Sequence, residues 1–129
     1  MTAAPLLAAL RAGTRDLHDR AEAAFVLAAP DVTRAEYRAV LACLLAFHGA
    51  LEDALAPWAA ALAACGLDLA ERRKAALVRQ DLAALGAAPD AHPAVSTTRV
   101  PVTVPTAAHA LGALYVVEGA TLGCQLLRR

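Results

Sequence analysis

Apolar and polar positions along the chain recur at spacings of three and four, the mark of helices that bury one face. A first helix is predicted over residues 5–27. Pro5 suits its first turn, and Leu7, Arg11, Thr14, His18, Ala21 and Phe25 fall on one inward stripe, with Pro30 closing the region. A second opens on Thr33-Arg34-Ala35-Glu36, a capping box in which each side chain satisfies the other end's free N–H. Its stripe is Tyr37, Leu41, Leu44, His48, Leu51 and Leu55, and Pro57 marks a break or kink. A short apolar piece over 58–64 then runs to Gly66, a residue suited to a left-handed stop. A third helix is expected from a second box, Asp68-Leu69-Ala70-Glu71, through Leu77 and Leu82 to Gly86. Arg72, Arg73, Lys74, Arg79 and Asp81 lie on its outer face. Residues 87–105 carry Pro89, Pro93, Pro101 and Pro105 around a β-prone run at 100–104. They read as an extended loop rather than a core strand, because proline cannot donate to a ladder. Thr106 caps a last helix that runs to Arg129.

Composition narrows the class. Hydrophobic residues make up 59% and aromatics only 4%, so alanine, leucine and valine dominate, and the expected fold is all-α. A chain of 129 residues fits one domain spanning 1–129, built of about four to five helices. Twelve Lys and Arg balance twelve Asp and Glu, which argues against a nucleic-acid surface, since that needs excess positive charge. Cys43, Cys65 and Cys124 are far apart and form no C-x-x-C pair, so neither a disulfide framework nor a zinc knuckle is expected. No cationic segment precedes the first apolar run, which speaks against a secretory leader and for the cytoplasm. Residues 107–127 approach the length of a membrane span. Glu118 in the middle of that stretch would cost about 2.5–3.5 kcal/mol in lipid, so no span is expected.

The last helix has an unusual feature. Gly112, Gly119 and Gly123 sit in its interior, each costing about 1 kcal/mol relative to alanine. Their spacings of seven and four place them on one face with Ala108 and Val116. Such a strip permits either tight helix–helix packing or close approach of a planar ligand. His18 lies on the first helix with Glu22 one turn later and Arg11 two turns earlier on the same face. An imidazole oriented by a carboxylate can serve as an axial ligand to heme iron. Arg11, about 10 Å along the axis, could meet a propionate. The alternative is a half-buried histidine bonded to its neighbours. His48 and Glu52 repeat the spacing on the second helix, but inward carboxylates are too few for a di-metal bundle, so packing is expected for His48. His92 and His109 fall near a proline-rich loop and a helix start, where solvent contact is expected. Arg72-Arg73-Lys74 reads as a solvated face, or as a docking point for an acidic redox partner.

Together these residues resemble the heme oxygenase family. Residues 10–22, from Leu10-Arg11 through Thr14 and His18 to Glu22, are similar to its first-helix pattern L-(K/R)-x-x-T-x-x-x-H-x-x-x-E. Residues 114–125, Leu114-Tyr115-Val116-Val117-Glu118-Gly119-Ala120-Thr121-Leu122-Gly123-Cys124-Gln125, are similar to its distal helix. Here the likeness is to the bacterial, biliverdin-producing branch associated with bacteriophytochromes. Residues 37–55 and 72–86 resemble the intervening helices.

The resemblance implies a heme-oxygenase-like helical bundle in which His18 ligates iron, Glu22 orients its ring and Arg11 meets a propionate. Gly119 and Gly123 would let the distal backbone lie close over the porphyrin. Heme would then be both substrate and oxygen-activating cofactor, cleaved to biliverdin, carbon monoxide and ferrous iron. An external donor, a reductase or a ferredoxin-type protein, would supply electrons, and a phytochrome is a possible biliverdin acceptor. Two positions depart from the family pattern: Cys124 stands where glycine is usual, and Ala120 where some members carry aspartate. Family members continue through further helices beyond the position of Arg129, so the chain is expected to be incomplete at its C-terminus. Two other readings remain open from the residues: a non-catalytic heme- or bilin-binding relative using Cys124, and a cofactor-free helical interaction module.

Overall fold

A computed structural model describes residues 3–24, 31–86 and 101–124. Every regular element among them is helical: α1 (Ala3–Ala23), α2 (Arg34–Leu55), α3 (Ala59–Ala63), α4 (Ala75–Ala84) and α5 (Ala107–Cys124), with short 3-10 turns at Ala56–Trp58 and Ala70–Arg72. The all-α expectation holds. Phe25, His92, the end of the predicted first helix and residues 125–129 lie outside the described residues. The chain divides into two compact units, Met1–Thr33 and Arg34–Arg129, and each is described by itself.

The first unit contributes one helix. Of its expected inward stripe only Leu7 is half-buried; Arg11, Thr14, His18 and Ala21 are exposed. A single helix has no second face in its own unit against which to bury a stripe. Thr14 uses its hydroxyl locally, donating to the Leu10 carbonyl at 2.8 Å.

In the second unit α2 and α4 run antiparallel. Arg34 at the start of α2 donates from Nη2 to the carbonyl of Leu85, just past the end of α4, at 3.1 Å. Glu52, near the end of α2, meets the first residues of α4. Along α2, Leu41, Leu51 and Leu55 of the predicted stripe are buried and Leu44 and His48 half-buried, whereas Tyr37, in the first turn, is exposed. By length and mean hydropathy (1.6), Arg34–Ala63 is long and apolar enough to cross a membrane. Its buried leucines Leu51, Leu55 and Leu62 join Ala110, Leu114 and Val117 of α5 in the core of this unit.

Pro57 ends α2 as expected, through the 3-10 turn to α3. Gly66 then takes a left-handed conformation (φ 77°). Its N–H reaches Ala63 O at 2.9 Å, and the next N–H, of Leu67, reaches back to Leu62 O at 3.0 Å. This doubly bonded stop satisfies carbonyls that the helix end would leave bare.

One predicted boundary is corrected. The Asp68–Glu71 box does not open a long helix: Asp68 Oδ1 accepts the N–H of Ala70 at 2.8 Å and closes only the 3-10 turn. Arg73 is then extended (ψ 129°), and α4 starts at Ala75. The shift also changes the buried face, which is Ala75 and Val78 rather than Leu77; Leu77 is exposed and Leu82 half-buried. Residues 101–105 have no regular secondary structure, and Trp58 Nε1 donates to Val104 O at 2.9 Å, holding this segment to the core. Thr106 caps α5 as predicted, its hydroxyl oxygen accepting the N–H of His109 at 3.3 Å.

Candidate functional site

On α1, the imidazole Nδ1 of His18 stands 3.5 Å from Glu22 Oε1, and both side chains are 70% exposed. The i, i+4 spacing of a helix places the carboxylate beside one ring nitrogen. Nε2 is thereby left as the nitrogen that can bind an incoming atom, the arrangement by which a carboxylate fixes the orientation of a ligating imidazole. Among the described residues, His18, Asp19 and Glu22 can bring their ligand atoms within 4.8 Å of one another, all three exposed. Arg11, also exposed, lies seven residues earlier on the same face of the helix.

On α5 the two faces differ in what they meet. Ala110, Leu114 and Val117 point into the core. The opposite face carries Ala108, Gly112, Val116 and Gly119, all exposed, flanked by exposed Leu111 and Tyr115. A Cβ built at Gly112 or Gly119 would meet nothing within 4 Å. Among the described residues of its own unit, then, neither glycine is needed for packing against a neighbouring helix. They bare the main chain on an exposed apolar face of this unit. Gly123 and Cys124 lie in the last turn of α5, and their side-chain surroundings are outside the described residues.

A third feature lies on the core side of α5. A cavity of about 440 Å³ is walled by Leu51, Leu55, Leu114 and Val117, with His48 and Arg72 at charged or titratable positions. This is within the size range of small-ligand pockets. Glu52, also in its wall, is already engaged: Oε1 accepts the N–H groups of Lys74 and Ala75 at 2.8 and 2.9 Å. His48, half-buried, stands in the same wall. Burial pushes the His48 pKa below its ordinary value, the charge of Lys74 acts in the same direction, and Glu52 opposes both.

Arg72-Arg73-Lys74 is not uniformly solvated. Arg73 is exposed, whereas Arg72 and Lys74 are half-buried and reach Glu118 of α5 at 3.7 and 3.6 Å. The segment turns them inward because it lies between the 3-10 turn and α4 rather than on the outside of a continuous helix. His109 is exposed at the helix start, its Nδ1 2.7 Å from the Thr106 hydroxyl. Sequence reasoning missed the roles of Glu52 and Glu118. The available signal for Glu118 was its place one turn after Leu114, as a single acidic group in an otherwise apolar helix.

The elements and the site thus define an all-helical protein with an outward histidine–carboxylate pair on one helix and a glycine-bared apolar face on another. The family model described as Heme oxygenase matches residues 4–129, and the chain belongs to the heme oxygenase family. No curated protein and no solved structure matches it.

Proposed function

We propose that the protein is a heme-degrading monooxygenase that converts heme to biliverdin, carbon monoxide and ferrous iron, with residues 1–129 acting as one heme-oxygenase-like domain. The observation that carries this reading is the exposed face of α5 in a chain of this family: Gly112 and Gly119 lie on the side opposite Ala110, Leu114 and Val117, which fill the core of their unit. The residues present fit the group. His18 offers Nε2 to iron while Glu22 holds the other nitrogen, and Arg11 supplies a guanidinium for a propionate.

Bound heme supplies the oxygen chemistry, being both cofactor and substrate. The chain's own residues bind and orient it. Glu22 sets the tautomer and the ring direction of His18. Gly119 and Gly123, which bring no side chain to the α5 backbone, would hold the porphyrin close to the main chain. The exposed apolar side chains beside them, Leu111, Tyr115 and Val116, would exclude water from bound heme. Cys124, next to Gly123 in the sequence, would modulate the site by its size or its sulfur. The bacterial, bacteriophytochrome-associated branch, a cytoplasmic location, a reductase or ferredoxin-type electron donor and a phytochrome as biliverdin acceptor complete the proposal.

Turnover tests it. The purified protein is mixed with hemin and a reducing system in air, and absorbance is followed. Decay of the Soret band with growth of bilin absorbance is expected; a stable Soret band without bilin rejects catalysis and leaves a heme-binding relative.

A further inference from the structure

We propose that Glu118 is the positioning residue of α5: held by Arg72 and Lys74, it fixes the rotation of the helix about its own axis and so turns Gly112 and Gly119 outward. The need for such a device follows from composition. Ala110, Leu114 and Val117 are buried, while Leu111, Tyr115 and Val116 are exposed, Val116 at 66%. A half-turn of the helix would exchange this set for another apolar one, Val116 and Tyr115 among Ala108, Gly112 and Gly119. Hydrophobic burial is non-directional and scales with area, so it discriminates weakly between the two rotations.

The charges, unlike apolar area, carry a direction. Between residues 107 and 120 Glu118 is the single Asp, Glu, Lys or Arg. Its oxygens are divided between two cations, Oε2 at 3.7 Å from Arg72 Nη1 and Oε1 at 3.6 Å from Lys74 Nζ. The three side chains are 40%, 31% and 22% exposed respectively, and partly buried pairs are screened less than surface ones. Both cations stand on an anchored base. The N–H of Arg72 is bonded to Leu69 O at 3.2 Å, and the N–H of Lys74 to Glu52 at 2.8 Å. A half-turn of α5 would carry the carboxylate to the far side of a helix about 10 Å across and strand it from both. Glu118 is one residue before Gly119, so the clamp acts at the glycine strip itself. Only the consequence for heme rests on the function proposed above.

The test reads rotation directly. In a chain whose Cys43, Cys65 and Cys124 are replaced by alanine, a reporter thiol is placed by Val116→Cys or by Leu114→Cys, and maleimide labelling is timed. With Glu118 intact the Val116 reporter is expected to label at least about tenfold faster than the protected Leu114 reporter. Glu118→Gln should bring the two rates to within about threefold, and Glu118→Asp should retain part of the difference. Should Glu118→Gln lose its helical circular dichroism, the mirrored variant Arg72→Glu, Lys74→Glu, Glu118→Lys decides: it should restore the rate ratio. An unchanged ratio in folded Glu118→Gln, or a mirrored variant that does not restore it, overturns the proposal. Hemin affinity is measured in parallel on the chain with its native cysteines, where Glu118→Gln should weaken it by about tenfold. If the native chain binds no hemin, the heme reading fails while the labelling ratio still decides the role of Glu118.

Discussion

Glu52 of α2 accepts the backbone N–H of Ala75, the first residue of α4, with the same oxygen that accepts the N–H of Lys74, at 2.9 and 2.8 Å. Lys74 occupies the N-cap of α4 without a side-chain cap bond of its own. A carboxylate from another helix therefore does what a local serine or aspartate usually does, and its charge also suits the positive end of the helix dipole. Glu52→Ala is expected to cost about 1–2 kcal/mol of stability. Glu52→Gln, which keeps an acceptor oxygen, should cost less. Urea midpoints of the three chains check the order.

His48, one turn before Glu52, gives stability a pH dependence. Burial first, and then Lys74, hold its pKa below the ordinary 6.5, with Glu52 opposing. As pH falls through 6.5 the unfolded chain takes up this proton before the folded one does. In that window the unfolded state binds more protons, so stability rises with pH and is lost on acidification. The contribution is fully present above the unfolded value and disappears toward the folded one. The urea midpoint should fall from about pH 7.5 to about pH 5.5, and fall less in His48→Gln.

The glycine strip predicts a separation of stability from binding. A Cβ at Gly112 or Gly119 enters open space, and alanine is the better helix former. Gly112→Ala and Gly119→Ala should each raise stability by up to about 1 kcal/mol. Gly119→Leu should leave the melting temperature unchanged or higher, yet weaken hemin binding, because its side chain stands where the porphyrin would lie. A loss of stability in these variants would mean that the glycines serve packing.

Cys124→Gly brings the last turn of α5 to the family's usual residue. It is expected to raise the rate of bilin formation while hemin affinity changes little. The bilin absorbance rise of the two proteins, measured side by side, decides this.

Much of the fold was legible in the sequence wherever a local rule governs. The Thr106 cap, the Pro57 break and the left-handed stop at Gly66 concern a few neighbouring residues, and each stands where expected. The start of α4 was not legible. Asp68 satisfies a local capping pattern, but the donors at Lys74 and Ala75 are met by Glu52, more than twenty positions away, and no local pattern reveals that. The same holds for Arg72 and Lys74, which read as a solvated face until Glu118 is seen opposite them. For the site, the spacing of His18 and Glu22 and the shared face of the glycines follow from helical periodicity alone. That the strip turns away from the core of its own unit depends on which apolar face of α5 is buried, and an evenly apolar helix does not announce this.

A hemin titration of the native chain against His18→Ala tests the central claim most directly. The native protein should give a saturable Soret shift at one hemin per chain, with the spectrum of imidazole-ligated iron. The variant should bind more weakly and lose that ligand signature, and added imidazole should restore it. Identical titrations and spectra for the two proteins would contradict the account, since iron would then be held, if at all, by some other residue.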